Sequence, residues 1–385
     1  MTEIRFVTRE IGSLAKPGWR VKAIAGRPVE DRDIEEAQEW GERLGIDTEE
    51  LTEILHKSQG FSEDQKHKIQ DYAALYGIRL LENAGLDVVY DGEQRRSEMY
   101  DHAVRHAARG FETRGTVRSF DNKYYTKAAV VEKPLVERPY DLEEFEFVRS
   151  HTDRTVKVPF TGAYTIVDWS YDEHYAKDGT MLGAAARERA EARQRFGVDV
   201  ARDVVQPNVL GLVEAGAEWV QIDEPAATTR PEEVPLVVET FNATREGVNA
   251  RASMHICFSD YNCLFPHIEA LEDCYELQLE FSNRDSKETG TKAENRPGYA
   301  VLSRLAESEW DGKIGLGVID IHTDFIEPPE LVRDRILYSS GVLGPERIEV
   351  NTDCGLRTRT WEVSLEKLKN MVEGTRLAEK ELNGI

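Results

Sequence analysis

The sequence contains few cysteines, and their spacing limits the chemistry that they support. Among 385 residues there are four cysteines, which are Cys257, Cys263, Cys274 and Cys354. No two of them form a Cys-x-x-Cys pair, which excludes a zinc ribbon and a thioredoxin-like redox site. So few cysteines in a long chain also do not form a disulfide framework. Any metal site that uses these thiols must therefore recruit other residue types from distant segments.

Long apolar runs are also absent. No uninterrupted apolar stretch approaches the roughly 18 residues that a membrane span needs. The first stretch, Met1 to Gly12, carries Glu3, Arg5, Arg9 and Glu10, and so lacks the apolar core of a secretory signal. Hydrophobic residues make up 40% and charged residues 31% of the chain, as in soluble globular proteins. We therefore expect a cytoplasmic protein.

Basic residues are too few to balance the acidic ones. The chain has 49 Lys and Arg against 72 Asp and Glu, a formal net charge of -23. Nucleic acid and anionic membranes are excluded as partners, because both require a basic face. Acidic residues are spread through the helical segments, as in the run from Asp31 to Glu36. This distribution resembles the surfaces of proteins from salt-loving organisms, with an ordinary acidic enzyme as the alternative.

The recurring pattern is a strand-like apolar run that ends in polar, chemically capable residues. About eight such runs alternate with segments long enough for helices, such as Leu182 to Arg195, which predicts a parallel sheet and a (β/α)8 TIM barrel. The rival, an open doubly wound sheet, is disfavoured because no Gly-x-Gly-x-x-Gly turn follows a strand. The predicted strands are Arg5–Val7, Leu86–Tyr90, Val156–Phe160, Trp219–Ile222, Met254–Phe258, Leu277–Phe281, Ile314–Ile319 and Ile348–Asn351.

The chain shows no internal repeat and no linker that would separate two domains. We therefore expect residues 1–385 to form a single barrel. The stretch from Gln94 to Ser150 exceeds a normal β/α connection, so an inserted extension at 94–150 should add a hairpin or helix over the barrel mouth. In such a barrel the active site lies at the carboxyl ends of the strands, where the polar clusters fall.

The segment His255-Ile256-Cys257 carries the most specific chemistry. Residues two apart on a strand point the same way, so an imidazole and a thiolate can face one metal ion. Glu280 lies at the end of the next strand and Cys354 follows the last one. A His, Cys, Glu, Cys set fits the tetrahedral N, S and O preference of zinc. The alternative is that these are unrelated core residues, because free cysteine is often simply buried.

Several motifs, in order, resemble the catalytic carboxyl-terminal barrel of the cobalamin-independent methionine synthases. The resemblance covers nearly the whole chain, in what looks like a short, single-barrel form, and its most specific parts are the Asp-Glu-Pro-Ala and Asp-Cys-Gly-Leu-x-Thr-Arg segments. The matching motifs are Ile11–Ser13, Asp91–Glu93, Thr161-Gly162, Trp169-Ser170, Gln221–Ala226, His255–Cys257, Asp320–His322 and Asn351–Arg359.

The resemblance implies a zinc-dependent methyltransferase that methylates the thiol of homocysteine to give methionine. It implies that Glu93 and Asp223 bind the amino group of homocysteine and that Ile11, Gly12 and Ser13 meet its carboxylate. Two carboxylates can hold an ammonium ion, whereas backbone N–H groups and a hydroxyl can hold a carboxylate. The implied zinc ligands are His255, Cys257, Glu280 and Cys354.

Zinc ionises a coordinating thiol near neutral pH, which makes the sulfur of homocysteine a nucleophile for a methyl group. An acid must then protonate the departing methyl carrier. His322 is the expected catalytic acid, with Asp320 or another carboxylate orienting it. For each acid and for His322 the alternative is a purely structural role at the end of a strand.

The methyl donor is the point at which the sequence departs from the family. Full-length members carry an amino-terminal barrel that helps bind folate, and we expect this chain to work as the catalytic barrel alone. Ala227, Thr228 and Thr229 follow the Asp-Glu-Pro-Ala segment, where the family usually has an acidic contact to the pterin. Trp169 is expected to stack on a flat donor ring or to pack in the barrel. We therefore expect methyl-folate or a methylated corrinoid protein as donor, with poor use of free methyl-folate.

Two other functions remain open. The first is a related zinc-dependent methyltransferase that acts on another thiol. The second is a binding protein in which zinc only stabilises the fold, although structural zinc usually sits in a closed set of closely spaced ligands.

Overall fold

The computed structural model describes residues 3–118, 124–176 and 186–385. Within these ranges the chain forms twelve β-strands and thirteen α-helices. The strands are β1 (Thr8–Arg9), β2 (Val88–Val89), β3 (Arg109–Arg118), β4 (Tyr124–Leu135), β5 (Thr155–Val156), β6 (Val158–Thr161), β7 (Tyr171–Asp172), β8 (Trp219–Asp223), β9 (Arg251–Ile256), β10 (Cys274–Leu279), β11 (Lys313–Gly317) and β12 (Ile348–Asn351). The helices are α1 (Gly18–Ile24), α2 (Asp31–Leu44), α3 (Glu49–Leu55), α4 (Glu63–Ala84), α5 (Met99–His106), α6 (Leu142–Ser150), α7 (Ala163–Trp169), α8 (Ala186–Val200), α9 (Gln206–Glu214), α10 (Val234–Arg245), α11 (Leu302–Glu307), α12 (Pro329–Leu343) and α13 (Trp361–Asn383).

Nine strands form one parallel sheet that curves back on itself. Their order is β5-β2-β1-β12-β11-β10-β9-β8-β6. The two outer strands, β5 and β6, lie on one continuous segment and are separated only by Lys157. The backbone N–H of Lys157 donates to the carbonyl of Val89 at 3.3 Å. Eight segments of chain therefore form a nearly closed barrel surrounded by helices, and the predicted (β/α)8 fold is confirmed.

The barrel strands differ from the predicted runs by a few residues. Before β1, the backbone N–H groups of Ile4 and Phe6 donate to side chains of α13, so pairing with the sheet begins later, where the carbonyl of Val7 accepts from Val350 N at 2.9 Å. Strand β9 ends at Ile256 because Phe258 has a left-handed φ of 54°, which a strand does not accommodate. Cys257 thus lies just beyond the strand end. Of the predicted helix 182–195, residues 182–185 lie outside the described ranges.

Local signals explain where the long helices begin and end. Helix α4 starts at a capping box between Ser62 and Gln65 and stops at Gly85, which has a left-handed conformation. Helix α13 starts at the cap Thr360, whose hydroxyl accepts from Val363 N. Such caps satisfy the backbone groups that a helix terminus leaves without partners. No helix in the described ranges is both long and apolar enough to cross a membrane.

The interior of the barrel is polar instead of aliphatic. Arg9 is fully buried, and its guanidinium contacts Glu276 and, at 2.6 Å, Glu349. It also lies 4.8 Å from the ring of Trp219. Buried charges are tolerated only when they are paired and hydrogen-bonded. Further buried polar side chains of the interior are Lys157, Gln221, Ser253, Gln278 and Asn351.

Residues 94–150 depart from the regular alternation of strand and helix. They hold α5, the antiparallel hairpin β3–β4 and α6. Strand β7 adds to the hairpin in parallel, which gives a small three-stranded sheet. The N–H of Ala128 in the hairpin donates to the hydroxyl of Tyr100 in α5 at 3.2 Å, and this hydroxyl contacts Ser170 Oγ at the end of α7 at 2.9 Å. The hairpin residue Tyr125 stacks on Trp169 with ring centroids 6.3 Å apart.

Candidate active site

A cavity of about 350 Å³ opens at the carboxyl ends of the barrel strands. Ten of the eleven site residues predicted from the sequence line it. The exception is Glu280, which lies just behind the wall. The predicted residues in the lining are Ile11, Gly12, Ser13, Glu93, Trp169, Asp223, His255, Cys257, His322 and Cys354. The sequence analysis assigned no role to the other lining residues, which are Met99, Tyr125, Pro225, Phe258, Ile321, Gly355, Arg357, Thr358 and Arg359.

Three potential metal ligands meet at the floor of this cavity. One ligand atom from each of His255, Cys257 and Cys354 lies within 4.8 Å of the others, and His255 Nε2 is 3.4 Å from Cys354 Sγ. Nδ1 of His255 lies 3.2 Å from the carbonyl of Gln278, so a proton on Nδ1 leaves the Nε2 lone pair facing the sulfurs. Burial, together with the charge of Lys157, lowers the pKa of His255 to about 3. The imidazole is therefore neutral, as a metal ligand must be.

Glu280 is close to this group but outside it. The side chain is buried, and its Oε2 accepts from Phe258 N at 2.8 Å and from Asn283 Nδ2 at 3.0 Å. Its Oε1 accepts no hydrogen bond from any described residue and lies 3.6 Å from His322 Nε2. A buried carboxylate oxygen without a partner is costly unless a cation is nearby. The neutral imidazole, two thiols and this oxygen fit the donor set of a zinc ion.

The loops that bear these residues are held together by Asp353. Its Oδ1 accepts from Phe281 N at 2.9 Å and from Ser282 N at 3.0 Å, and its Oδ2 accepts from Asn283 N at 2.7 Å. Asp353 therefore fixes the position of the Glu280 loop relative to Cys354. The sequence signal for this role is that Asp353 directly precedes the predicted ligand Cys354.

Two carboxylates, Glu93 and Asp223, line the same cavity as the thiols. Glu93 has a left-handed φ of 56°, and its N–H donates to Asp91 Oδ1 at 2.7 Å. Burial and the negative charge of Glu93 raise the pKa of Asp223 well above its usual range. Placing a cation between the two acids would relieve this repulsion. The pair is thus suited to an ammonium group.

The segment Ile11–Ser13 forms the wall beside these acids. A Cβ on Gly12 would lie 3.2 Å from Glu93 Oε1, so glycine lets the backbone approach the acid closely. The sequence analysis did not single out Glu10, which is buried directly before this segment. Burial raises the pKa of Glu10 to about 7, although hydrogen bonds from the backbone of Gly12 and Leu356 oppose the shift. Glu10 thus shares the backbone amides of this wall.

His322 lies in the cavity wall near Glu280. Its ring contacts the Phe258 ring edge to face, with centroids 4.8 Å apart. Asp320 Oδ1 accepts from the backbone N–H of His322 at 2.8 Å, so Asp320 holds the backbone of this residue. The carboxylate that faces the imidazole ring is that of Glu280. Burial opposes protonation, but the negative charge of Glu280, whose Oε1 is 3.6 Å from Nε2, prevails and raises the pKa of His322.

Aromatic side chains form the upper wall. Trp169, at the end of α7, contacts Tyr125 with an interplanar angle of 24° and Tyr100 with an angle of 55°. The guanidinium of Arg357 lies 5.8 Å from the Tyr125 ring. A flat or cationic group at the cavity mouth would meet aromatic faces here.

The chain is similar to known proteins over most of its length. Residues 47–377 match the family described as cobalamin-independent synthase, catalytic domain. A methionine synthase of Thermoplasma acidophilum is 35% identical over 379 residues, which cover 95% of this chain and 96% of that protein. The Thermoplasma volcanium methionine synthase is 36% identical over 342 residues, which cover 84% of this chain and 92% of that protein.

Solved structures share the fold. A B12-independent methionine synthase from Shewanella sp. W3-18-1, in complex with selenomethionine, superposes with a TM-score of 0.74 at 20% identity, covering 99% of this chain and 100% of that one. At this identity the likeness shows the fold alone, whereas the family match and the closer relatives show descent. The chain therefore belongs to the cobalamin-independent methionine synthase family and is a methyltransferase.

Proposed function

We propose that this chain methylates the thiol of L-homocysteine to methionine in the cytoplasm, with zinc as its cofactor. The observation that carries the proposal is one cavity lined by both chemical parts of the reaction. A neutral imidazole and two thiols lie at its floor, and the acids Glu93 and Asp223 also line it. An amino acid with a thiol carries an ammonium group, which the two acids would bind, and a sulfur, which would reach the imidazole and the thiols.

In this proposal His255, Cys257, Glu280 and Cys354 hold the zinc ion. The clustering of the first three and the buried Oε1 of Glu280 without a hydrogen bond support this set. When bound, zinc would supply the Lewis acidity that ionises the thiol of homocysteine near neutral pH. The remaining work is done by residues of the chain.

Glu93 and Asp223 would accept hydrogen bonds from the ammonium group of homocysteine. The Ser13 hydroxyl and the backbone around Gly12 would donate to its carboxylate. With its ammonium and carboxylate groups both held, homocysteine would extend its side chain toward the thiols of Cys257 and Cys354. Such positioning can supply much of the rate acceleration. His322 would hold a proton on Nε2 and donate it to the departing methyl carrier.

For the donor we propose methyl-folate or a methylated corrinoid protein, with poor use of free methyl-folate. Ala227, Thr228 and Thr229 offer no carboxylate to a pterin ring. Both hydroxyls are already used within the chain, since Thr228 contacts Ser259 at 2.6 Å and Thr229 donates to the carbonyl of Ala226 at 2.8 Å. A protein donor would instead gain binding energy from a broad surface away from the reacting methyl group. Trp169 would then contact the donor at the mouth.

The test is a methyl-transfer assay of the purified chain in high salt. Methionine formation is measured from homocysteine with methyl-folate, its polyglutamate form and methylcobalamin at matched concentrations. We expect methionine from homocysteine and little from free methyl-folate. Methyl-folate turnover on the order of 1 per second or faster, with none from the corrinoid, would contradict the donor assignment alone.

The same assay addresses the second candidate, a methyltransferase for another thiol. In this assay homocysteine competes with three other thiols. Cysteine has a shorter side chain, cysteamine lacks the carboxylate and 3-mercaptopropionate lacks the amino group. Preference for a thiol without an amino group would contradict the role of Glu93 and Asp223, because the two acids would then face a ligand without a cationic group.

A further inference from the structure

Lys157 is a buried lysine in the barrel wall, between β5 and β6, directly beneath the proposed amino-acid site. Its side chain is 2% exposed. The ammonium donates to the carbonyls of Glu10 at 3.1 Å and Ile11 at 3.0 Å, and it also donates to Gln221 Oε1. A lysine ammonium has three N–H donors and no acceptor, so these three oxygens use its full capacity.

The contact with Lys157 fixes the orientation of the Gln221 amide. Because the lysine can only donate, it must face the amide oxygen, and the NH2 group of Gln221 must point the other way. That NH2 group donates to Ile11 O at 2.8 Å and to Asp223 Oδ1 at 2.7 Å. A rotated amide would turn its oxygen toward the Asp223 carboxylate and the Ile11 carbonyl and its NH2 group toward Lys157, so all three partners favour the same orientation.

The network therefore joins the two halves of the proposed amino-acid site. Lys157 and Gln221 both donate to the carbonyl of Ile11, which holds that carbonyl inward and directs the following residues, Gly12 and Ser13, toward the cavity. Gln221 at the same time supports the carboxylate of Asp223. One buried cation thus sets the position of the carboxylate-binding wall relative to one of the ammonium-binding acids.

This arrangement is costly to the fold. Burial and the nearby charge of Arg9 lower the pKa of Lys157 to about 7, which means that the surroundings disfavour its charge. An apolar side chain of similar length would fill the same space without that cost. A purely structural role would make the lysine hard to explain, whereas a role in placing oxygen atoms requires its three donors.

We propose that Lys157, acting through Gln221, is a positioning residue that sets the spacing between the Ile11–Ser13 wall and Asp223 to fit the amino-acid head group of homocysteine. This inference rests on the proposed function. It assigns selectivity for the head group, not for the thiol, to two residues that do not line the cavity.

The test compares the binding of two thiols to the zinc-loaded chain by calorimetry. L-homocysteine carries the head group, and 1-propanethiol lacks it. In Lys157→Met we expect homocysteine to bind roughly 10- to 100-fold more weakly, as for lost hydrogen bonds to charged groups in a buried site, with propanethiol affinity unchanged. Gln221→Met should show the same selective loss. In the double variant the losses should not multiply, because both residues act in one network.

Lys367→Met is the matched control. Lys367 is also fully buried and donates to the carbonyls of Asp320 and Phe325 and to Glu327 Oε2, in the loop that carries His322. Its replacement should leave homocysteine affinity unchanged. If Lys157→Met does not fold, as judged by circular dichroism, Gln221→Met alone decides the matter.

The outcomes separate the two proposals. If the unmodified chain binds propanethiol but not homocysteine, the proposed function fails whatever Lys157 does. If it binds homocysteine and the Lys157 and Gln221 variants bind it equally well, the positioning role is overturned. Equal weakening of both thiols would also overturn it, since it would show a general structural effect.

Discussion

At the scale of single residues, glycine is required where loops from different strands touch. A Cβ on Gly355 would lie 3.0 Å from the backbone N and O of Ser13 and closer still to its hydroxyl. On Gly162 it would lie 2.7 Å from Cγ of Glu224, whose carboxylate accepts from the N–H groups of Tyr164 and Thr165 at the start of α7. Each glycine therefore lets two loops at the carboxyl ends of the strands approach each other closely.

We expect Gly355→Ala to disturb the Ser13 wall and weaken homocysteine binding. Overpacking of this kind typically costs about 1–3 kcal/mol of stability. Gly341→Ala is the matched control, because a Cβ there meets no atom within 4 Å and the residue lies inside α12. It should stabilise the chain by roughly 0.5–1 kcal/mol. Denaturant unfolding and homocysteine titration of both variants test this, and equal behaviour would contradict it.

Zinc content tests the proposed ligands at the same scale. Elemental analysis should find about one zinc per chain, with strong loss of metal in Cys257→Ser and Cys354→Ser. Cys263→Ser is the control, since the thiol of Cys263 donates to the carbonyl of Asp260 at 3.1 Å and the residue lies outside the cavity lining. Retention of zinc in both ligand variants, with loss in the control, would contradict the assignment.

The residues proposed to bind ligands could be chosen from the sequence, whereas the residues that hold them in position could not. His255, Cys257 and Cys354 each follow or end a strand, so the barrel itself predicts that they meet. Lys157 and Gln221 lie within strand runs, where side-chain direction and the closing register decide their contacts. Those depend on the closed three-dimensional barrel, which no local pattern specifies.

At the scale of secondary-structure elements, the hairpin β3–β4 is the irregular feature that shapes the cavity. It brings Tyr125 into the lining, whereas its neighbour Tyr124 is 70% exposed. Adjacent residues of a strand face opposite sides, so one tyrosine faces the site and the other faces solvent.

This difference gives a prediction for the donor. Tyr125→Ala should reduce methyl transfer several-fold through a weaker hold on the donor, because one aromatic contact is worth about 0.5–1.5 kcal/mol, and it should leave homocysteine binding unchanged. Tyr124→Ala should change neither. Steady-state kinetics with varied donor concentration provide the measurement. A loss of the same size in both variants would contradict a specific role for Tyr125.

The existence of these elements was easier to predict than their ends. Segment length indicated an insertion at 94–150, but a pairing of its hairpin with the short strand β7 has no sequence signal. Strand β10 ends at Leu279 because Tyr261 and Asp353 take the next two N–H groups. Such tertiary partners, not propensity, decide where the strands stop.

At the scale of the whole molecule, charge is the dominant property. The formal net charge of -23 produces self-repulsion that opposes the compact state. Screening should relieve it, since the Debye length falls from about 30 Å at 0.01 M salt to about 3 Å at 1 M.

We therefore expect the midpoint of thermal unfolding to rise between 0.01 and 1 M KCl, by roughly 1 °C for each 1 kcal/mol of stability gained, because the unfolding entropy is about 2.1 cal/mol/K per residue. Sucrose at matched osmolality is the control, because it strengthens burial without screening charge. A midpoint that rises equally in sucrose, or that falls in KCl, would show that charge repulsion does not limit the thermal stability of the chain.

The central claim is that the metal ligands and the amino-acid site form one reaction centre, and X-ray absorption at the zinc edge tests it most directly. The zinc-loaded chain should show two sulfur neighbours, from Cys257 and Cys354, and three after addition of L-homocysteine. In Asp223→Asn the third sulfur should require a higher homocysteine concentration. A sulfur count that stays at two under saturating homocysteine, or zinc without sulfur neighbours, would contradict the account.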